Sequence, residues 1–334
     1  MVVGICGFGN TGASAVVDYL KEFENITFFD DFEFQLLHQP DGINDLKYHL
    51  VRNKERITCN VAINRFIRLC KKSRIGQKFK KKIGKKFTEW YTNYINDLIL
   101  VSWKGENSSF DPIDLSHRPS GWLHDFFILA DKVLRKINPR FHLFPYRKKY
   151  FSIISDEAFD SITKKYLKKL FALLDIDNKN ISVVDMLFSS TNTDLGMEFF
   201  EDAKAIVVVR DPRDVFVSAK LCPQDSRFMP NDNSKKFCIY YKTLMDNISP
   251  KNSLLILQYE DLIYKYRETT DKIKKFLKIE NSPIDEYKYF NPKISIKYTN
   301  RIKLYQKYTK DIKIIEEELK SYLYNFDCKQ ASEL

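Results

Sequence analysis

Two stretches of this chain hold residue types suited to gripping a phosphate. Gly7-Phe8-Gly9-Asn10-Thr11-Gly12-Ala13-Ser14 sets three glycines and two hydroxyls directly after an apolar run. A glycine loop between a strand and a helix lets backbone N–H groups and a helix N-terminus close on an anion. The second stretch is Val209-Arg210-Asp211-Pro212-Arg213-Asp214, with Ser218 further on. A guanidinium leaving a strand end is a planar fork that holds a phosphate at two places. Pro212 fixes the turn and suits the first position of a helix. The competing reading is a plain helix start, with Asp211 as its cap and local ion pairs around it. A third group, Asp30, Asp31, Glu33 and His38, follows the apolar run Ile26–Phe29. Any of these can take a proton from a hydroxyl, and the acids also suit the start of a helix.

The elements that must position these residues read as α/β. Residues 2–6, 26–29, 181–185, 205–209 and 254–258 are short apolar runs rich in β-branched residues. Such runs, alternating with helices, predict a parallel sheet covered on both faces. Helices are expected from Ala13 to Glu22, from about Arg213, over Arg267–Leu277 and over 311–324. Residues 41–170 read as mostly helical and as an insertion, or cap, on the α/β core. The whole chain, 1–334, is expected to be one domain.

The glycine loop fits three patterns. Gly7-x-Gly9-x-x-Gly12 fits the dinucleotide fingerprint, with Asp30 and Asp31 about 20 residues on, where a ribose-binding acid belongs. That reading gives a nicotinamide-dependent oxidoreductase, but further βαβ units should then follow at once, and a lysine-rich helical stretch follows instead. Gly7-x4-Gly12-Ala13-Ser14 fits a Walker A loop with Ala13 in place of the phosphate-neutralising lysine, a poor arrangement for triphosphate hydrolysis. Thirdly, Thr11-Gly12-Ala13-Ser14 resembles the 5′-phosphosulfate loop of sulfotransferases.

The same family is resembled further along. Ala205–Ser218 is similar to its 3′-phosphate motif: a strand, then Arg-Asp-Pro-Arg-Asp, then a helix with Ser eight residues after the Arg. Leu254–Leu262, LLILQYEDL, resembles its later strand with Tyr-Glu-Asp-Leu. Ser295-Ile296-Lys297-Tyr298-Thr299 resembles the late basic segment of its bacterial carbohydrate-modifying members, with Tyr298 in place of the usual Asn. The resemblance implies a P-loop-like three-layer αβα fold with a central parallel sheet. It implies transfer of a sulfuryl group from 3′-phosphoadenosine-5′-phosphosulfate to a hydroxyl, with a carbohydrate as acceptor. Gly9, Asn10, Thr11, Gly12, Ala13 and Ser14 would hold the donor's 5′ side. Arg210, Ser218, Lys297 and Arg301 would hold its 3′-phosphate. Glu33 becomes the first choice of base, before His38 and the two aspartates. Asn10 stands where the family carries a catalytic Lys or Arg, so Lys47, Arg52 or Arg65 would have to replace that cation. Arg213, Asp214, Glu260 and Asp261 are expected to be structural. No metal is required.

The formal net charge of +11 points to an anionic partner without choosing one. Lys71 to Phe87 has no acid, and reads as a solvated helical face or as a contact for an anionic polymer or peripheral membrane surface. No arrangement typical of nucleic-acid readers is found. A third functional reading follows: a non-catalytic protein with a degenerate phosphate loop that binds an anionic glycan. Six scattered cysteines without a CxxC pair suggest reduced thiols and no zinc site. With no run of about 18 apolar residues and no leader-like start, a cytoplasmic protein is expected.

Overall fold

The computed structural model describes residues 1–29, 31–106, 121–141, 143, 146–174, 176 and 181–326. Seven strands run in chain order: β1 Val2–Cys6, β2 Ile26–Phe29, β3 Val101–Glu106, β4 Tyr146–Phe151, β5 Ile181–Asp185, β6 Ala203–Val209 and β7 Leu254–Gln258. The chain divides into two compact units. One comprises Met1–Gln35 with Ile176–Leu334, and the other Leu36–Asp175.

The first unit is an α/β fold around a five-stranded sheet in the order β2-β5-β1-β6-β7. Every pairing in it is parallel, with Val3 opposite Val183 and Ile5 opposite Ile206. All five residues of β1 are buried, because a parallel sheet is covered on both faces. On one face Val3, Ile5, Ile206 and Val208 pack with Val16, Leu20, Leu262 and Ile273 from helices Ala13–Leu20, Asp261–Tyr264 and Tyr266–Leu277. Strand alternation turns buried Val207 and Val209 to the other face. A second cluster joins helices Pro212–Leu221, Ser234–Asp246 and Thr309–Glu318 through Val215, Phe216, Phe237, Tyr241 and Ile315. The result is a three-layer arrangement with a central parallel sheet. The chain leaves β1 for β2 on one side, and crosses from β5 to β6 on the other. The carboxyl end of β1 is therefore a topological switch point, where open α/β sheets place their ligands.

The second unit is helical, with a β3–β4 hairpin. Helices Arg56–Lys72, Arg74–Ile83, Lys85–Leu98 and Asp156–Leu173 are joined by a ladder of rings. Phe79 stacks on Phe87, Phe87 on Trp90 and Trp90 on Tyr94. Trp90 Nε1 donates to Tyr166 O at 2.6 Å. The mostly helical expectation misses the antiparallel hairpin, which pairs Trp103 with Lys149 and Lys104 with Lys148. Its strands are largely exposed and carry four cations, so they lack the buried apolar run that marked the sheet strands.

Other boundaries shift. The C-terminal helix expected over 311–324 is Thr309–Glu318, followed by a short 3-10 turn Lys320–Tyr322. The first helix ends at Leu20, not Glu22. Among the described residues, no helix is long and apolar enough to cross a membrane. Cys6, Cys59, Cys70, Cys222 and Cys238 are free thiols; Cys328 lies outside the described residues.

Candidate active site

β1 ends at Cys6, and the glycine loop then runs to the helix Ala13–Leu20. The loop needs left-handed backbone at Gly9, Asn10 and Gly12. Asparagine is among the few side chains that accept this region. At Gly12, a β-carbon would also lie 2.4 Å from the Tyr259 ring, so only glycine fits. The helix starts with no side-chain cap and no acid in its first turn. Its leading N–H groups and its dipole are left to the cleft. Asn10 Nδ2 donates to Asp225 Oδ2 at 2.7 Å, which ties the loop to the turn Pro223–Arg227.

Arg210 follows β6, the strand hydrogen-bonded to β1. It is 6% exposed. Nη1 donates to Asn10 O at 2.8 Å, Nη2 donates to Tyr298 O, and the guanidinium lies 5.0 Å from the centre of the Tyr259 ring. Its Nε is buried without a hydrogen-bond partner. Tyr241 Oη donates to Arg210 O at 2.5 Å. The next residue, Asp211, caps the helix Pro212–Leu221 by accepting from Arg213 N at 2.8 Å. Its carboxylate also takes Arg213 Nε and Nη2 at 3.0 and 2.7 Å, and Tyr324 N at 2.9 Å. Asp211 N donates to Glu260 Oε1 at 2.9 Å. Burial pushes the Glu260 carboxyl up to about 8; the Asp211 N–H and the Gln258 amide oppose the rise, and the Asp211 charge adds to it.

Ser218 and Arg301 meet around buried Asp214. Arg301 Nε donates to Asp214 Oδ1 at 3.1 Å, and its Nη2 donates to Ser218 Oγ at 2.6 Å. Ser218 Oγ in turn donates to Asp214 O at 2.7 Å. Asn300 N donates to Asp214 Oδ2 at 2.9 Å. The late segment is thus clamped at two points, Tyr298 on Arg210 and Asn300–Arg301 on Asp214. Lys297 is exposed within it, over the Tyr298 ring.

A cleft of about 570 Å³ opens over the glycine loop. Gly9, Asn10, Thr11, Gly12, Ala13 and Ser14 line it together with Arg210 and Glu33. Alternation after β2 sets Glu33 there: Phe32 and Phe34 are buried against Phe29, while Glu33 is exposed. Phe34 N donates to Asp185 O at 2.8 Å, which holds this segment at the end of β5. Glu33 Oε2 accepts from Gln35 Nε2 at 2.6 Å. Ser218, Arg301, Lys297 and His38 do not line the cleft. His38 is half-buried in a turn of the helical unit. Asp31 is exposed, and Asp30 lies outside the described residues. The proposed substitute cations are all committed within the helical unit: Lys47 to Asp156 and Asp160, Arg52 to Asp156, Arg65 to Asp41.

Sequence reasoning assigned no role to Tyr259, Tyr289, Phe290, Ser295, Asp18 or Asp185, which also line the cleft. Asp18 was within reach of it, since it sits four residues after Ser14 on one helical face. Among the described lining residues there is one cation, Arg210, against three carboxylates: Asp18, Glu33 and Asp185. The lining itself therefore carries no excess of positive charge. No cluster of three metal-ligating side chains is present among the described residues.

Residues 186–321 match the family model described as a sulfotransferase domain. No curated protein matches the chain. Solved structures similar to it include the sulfotransferase domain from the Synechococcus PCC 7002 olefin synthase, 11% identical, with 92% of this chain and 94% of that one covered and a TM-score of 0.43. The sulfotransferase domain from the curacin biosynthetic pathway is 12% identical over 84% and 74%, with a TM-score of 0.37. A sulfotransferase from Alicyclobacillus acidocaldarius is 11% identical over 94% of each, with a TM-score of 0.36.

Proposed function

We propose that this protein transfers a sulfuryl group from 3′-phosphoadenosine-5′-phosphosulfate to a hydroxyl oxygen, with a carbohydrate as acceptor. The observation that carries this reading is the convergence of the glycine loop and Arg210 on one cleft, joined by the bond from Arg210 to Asn10 O. The sulfotransferase-domain match across 186–321 includes Arg210, Ser218, Lys297 and Arg301, and supports it. So does the strand order, with β5 between β1 and β2, which suits a P-loop-like core.

The donor's 5′ side falls to the loop N–H groups, Thr11, Ser14 and the bare helix start. Its 3′-phosphate falls to Arg210, whose unpartnered Nε is the ready donor and whose Nη2 exchanges Tyr298 O for phosphate. Ser218 from the helix Pro212–Leu221, with Lys297 and Arg301 from the late segment, completes that side. Glu33 takes the proton of the acceptor hydroxyl as the new oxygen–sulfur bond forms. The old sulfur–oxygen bond breaks at the phosphate, and its charge is met by the loop donors and Arg210. Residues 71–87 have no part in this chemistry; they are assigned instead to contact with an anionic surface.

The nicotinamide reading fares worse. With β5 inserted, the acids after β2 sit about 10 Å, two strand spacings, from the glycine-loop strand instead of beside it. Calorimetric titration with 3′-phosphoadenosine-5′-phosphate, adenosine 5′-monophosphate and NAD tests the proposal. The bisphosphate is expected to bind most tightly; tighter NAD binding, or no binding of any of the three, defeats it.

A further inference from the structure

The net positive charge of this chain belongs to residues outside the unit that holds its candidate site. Residues 36–175 hold 28 Lys and Arg against 14 Asp and Glu, while the remaining residues hold 27 against 30. The entire excess therefore belongs to the helical unit. Its densest part is the acid-free stretch 71–87, where every cation except Lys78 is exposed. The helix Arg74–Ile83 buries Ile75, Gly76 and Phe79, and ends in Lys80-Lys81-Lys82. The Phe79–Phe87–Trp90–Tyr94 ring ladder supports this basic ridge from beneath. The β3–β4 hairpin adds Lys104 and Lys148 directly opposite each other, a pairing that costs stability unless something anionic faces it.

The same unit carries a helix with an apolar stripe in water. In Gly121–Ile137, Trp122, Phe126, Leu129, Val133 and Ile137 follow one another at helical spacing. They are 49–77% exposed. This is one apolar stripe about 22 Å long. On the far side, Asp131 is 8% exposed, pairs with Arg135 at 2.7 Å and accepts from Leu143 N at 3.0 Å. A surface helix normally buries its apolar stripe and exposes its charge. Trp103 and Val101, on one face of the hairpin, are likewise half-exposed.

We infer that the helical unit docks on an anionic phospholipid surface, with the lysine ridge meeting headgroups and the Trp122–Ile137 stripe entering the headgroup–acyl boundary. Tryptophan, phenylalanine and leucine on one side, with lysine and arginine nearby, is the composition of interfacial helices. Other occupants satisfy only one of the two features. A soluble polyanion takes the lysines and leaves the stripe in water. A second copy covers the stripe but brings two strongly cationic units together. The inference does not depend on the transferase reading.

The test is co-sedimentation of the full chain with vesicles of phosphatidylcholine, with and without 30 mol% phosphatidylserine, at low and high salt. Trp122→Ser/Phe126→Ser probes the stripe and Lys80→Gln/Lys81→Gln the ridge. Every position is solvent-facing, and circular dichroism checks that each variant is folded. Binding is expected only to the anionic vesicles. At about a tenfold change per 1.4 kcal/mol and about 1 kcal/mol per lysine, the ridge variant should partition about 30-fold less. The stripe variant should sediment far less with the anionic vesicles; quenching of tryptophan by brominated lipid is read in the wild type, where Trp103 and Trp122 are exposed and Trp90 is buried. Absence of vesicle binding overturns the inference. So does binding that the stripe variant leaves intact, or a stripe variant whose only effect is to abolish self-association in a sedimentation run.

Discussion

Replacing Arg210 separates a ligand-gripping role from a scaffolding one. The side chain bridges backbone oxygens of Asn10 and Tyr298 and stacks on Tyr259, so Arg210→Ala must disturb the loop to some degree. A hydrogen bond to a charged group contributes about 1.5–3 kcal/mol. Loss of one such contact with a 3′-phosphate weakens binding of 3′-phosphoadenosine-5′-phosphate by about 10- to 150-fold. Adenosine 5′-monophosphate lacks that phosphate, so its affinity for the glycine loop should change far less. Calorimetry on both ligands, for wild type, Arg210→Ala and Arg210→Lys, gives the comparison. The lysine variant keeps the charge but not the fork, and should recover part of the loss for the bisphosphate only. Equal losses for both ligands would mean that Arg210 merely shapes the loop. An unchanged bisphosphate affinity in a folded variant would refute the placement of the 3′-phosphate altogether.

Three further outcomes follow from the same geometry. Gly12→Ala puts a β-carbon 2.4 Å from the Tyr259 ring in a backbone conformation that costs about 1–2 kcal/mol for alanine even without the clash; thermal unfolding should fall by at least about 3 °C, and an unchanged midpoint would contradict the packing. Burial pushes the Glu260 carboxyl from its ordinary 4.5 up to about 8, so the folded state keeps a proton that the unfolded chain releases. Its contribution to stability is complete below about pH 4.5 and is lost as pH rises through about 8. Glu260→Gln should flatten that decline in unfolding midpoints between pH 5 and 8, and an identical slope would show that another group sets it. Glu33→Gln should lower kcat by about 100-fold or more while leaving bisphosphate affinity as it was; full turnover in the variant removes Glu33 as the base.

The parts of the fold that were legible are those whose residues obey a single rule. VVGIC, ISVVD and LLILQ are buried β-branched or leucine runs, and a parallel sheet buries such runs whole. The hairpin strands VSWKGE and YRKKYF obey no such rule, because they are neither covered on both faces nor cleanly alternating. In the site, the glycines could be read because left-handed backbone and close packing leave few alternatives. Arg210 could be read from its place at a strand end. Tyr259 could not, although its segment was recognised: its role depends on a ring lying between Gly12 and Arg210, a contact across chain segments far apart in sequence. Ser218 shows the converse. Its spacing from Arg210 was correct for a helix, yet its hydroxyl is bonded to Arg301 and to Asp214 O, and only the structure shows that late segment folded back on it.

The net charge of +11 illustrates how an average misleads. Taken over the whole chain, it suggests that an anionic ligand is drawn in by a positive field. Divided by unit, the α/β part that holds the cleft is slightly acidic, and the cleft lining itself sets three carboxylates against one guanidinium. On the proposed reading, phosphate selectivity comes from direction: N–H groups of a bare helix start, two hydroxyls and a stacked arginine aimed at fixed points. Such a site is insensitive to bulk salt compared with one that works by long-range attraction, since contacts at hydrogen-bond distance are screened far less than fields beyond about 10 Å. The lysine-rich unit should show the opposite behaviour. Raising ionic strength is therefore expected to release the protein from an anionic surface well before it weakens bisphosphate binding. A parallel loss of both activities with salt would mean that a single basic surface serves them.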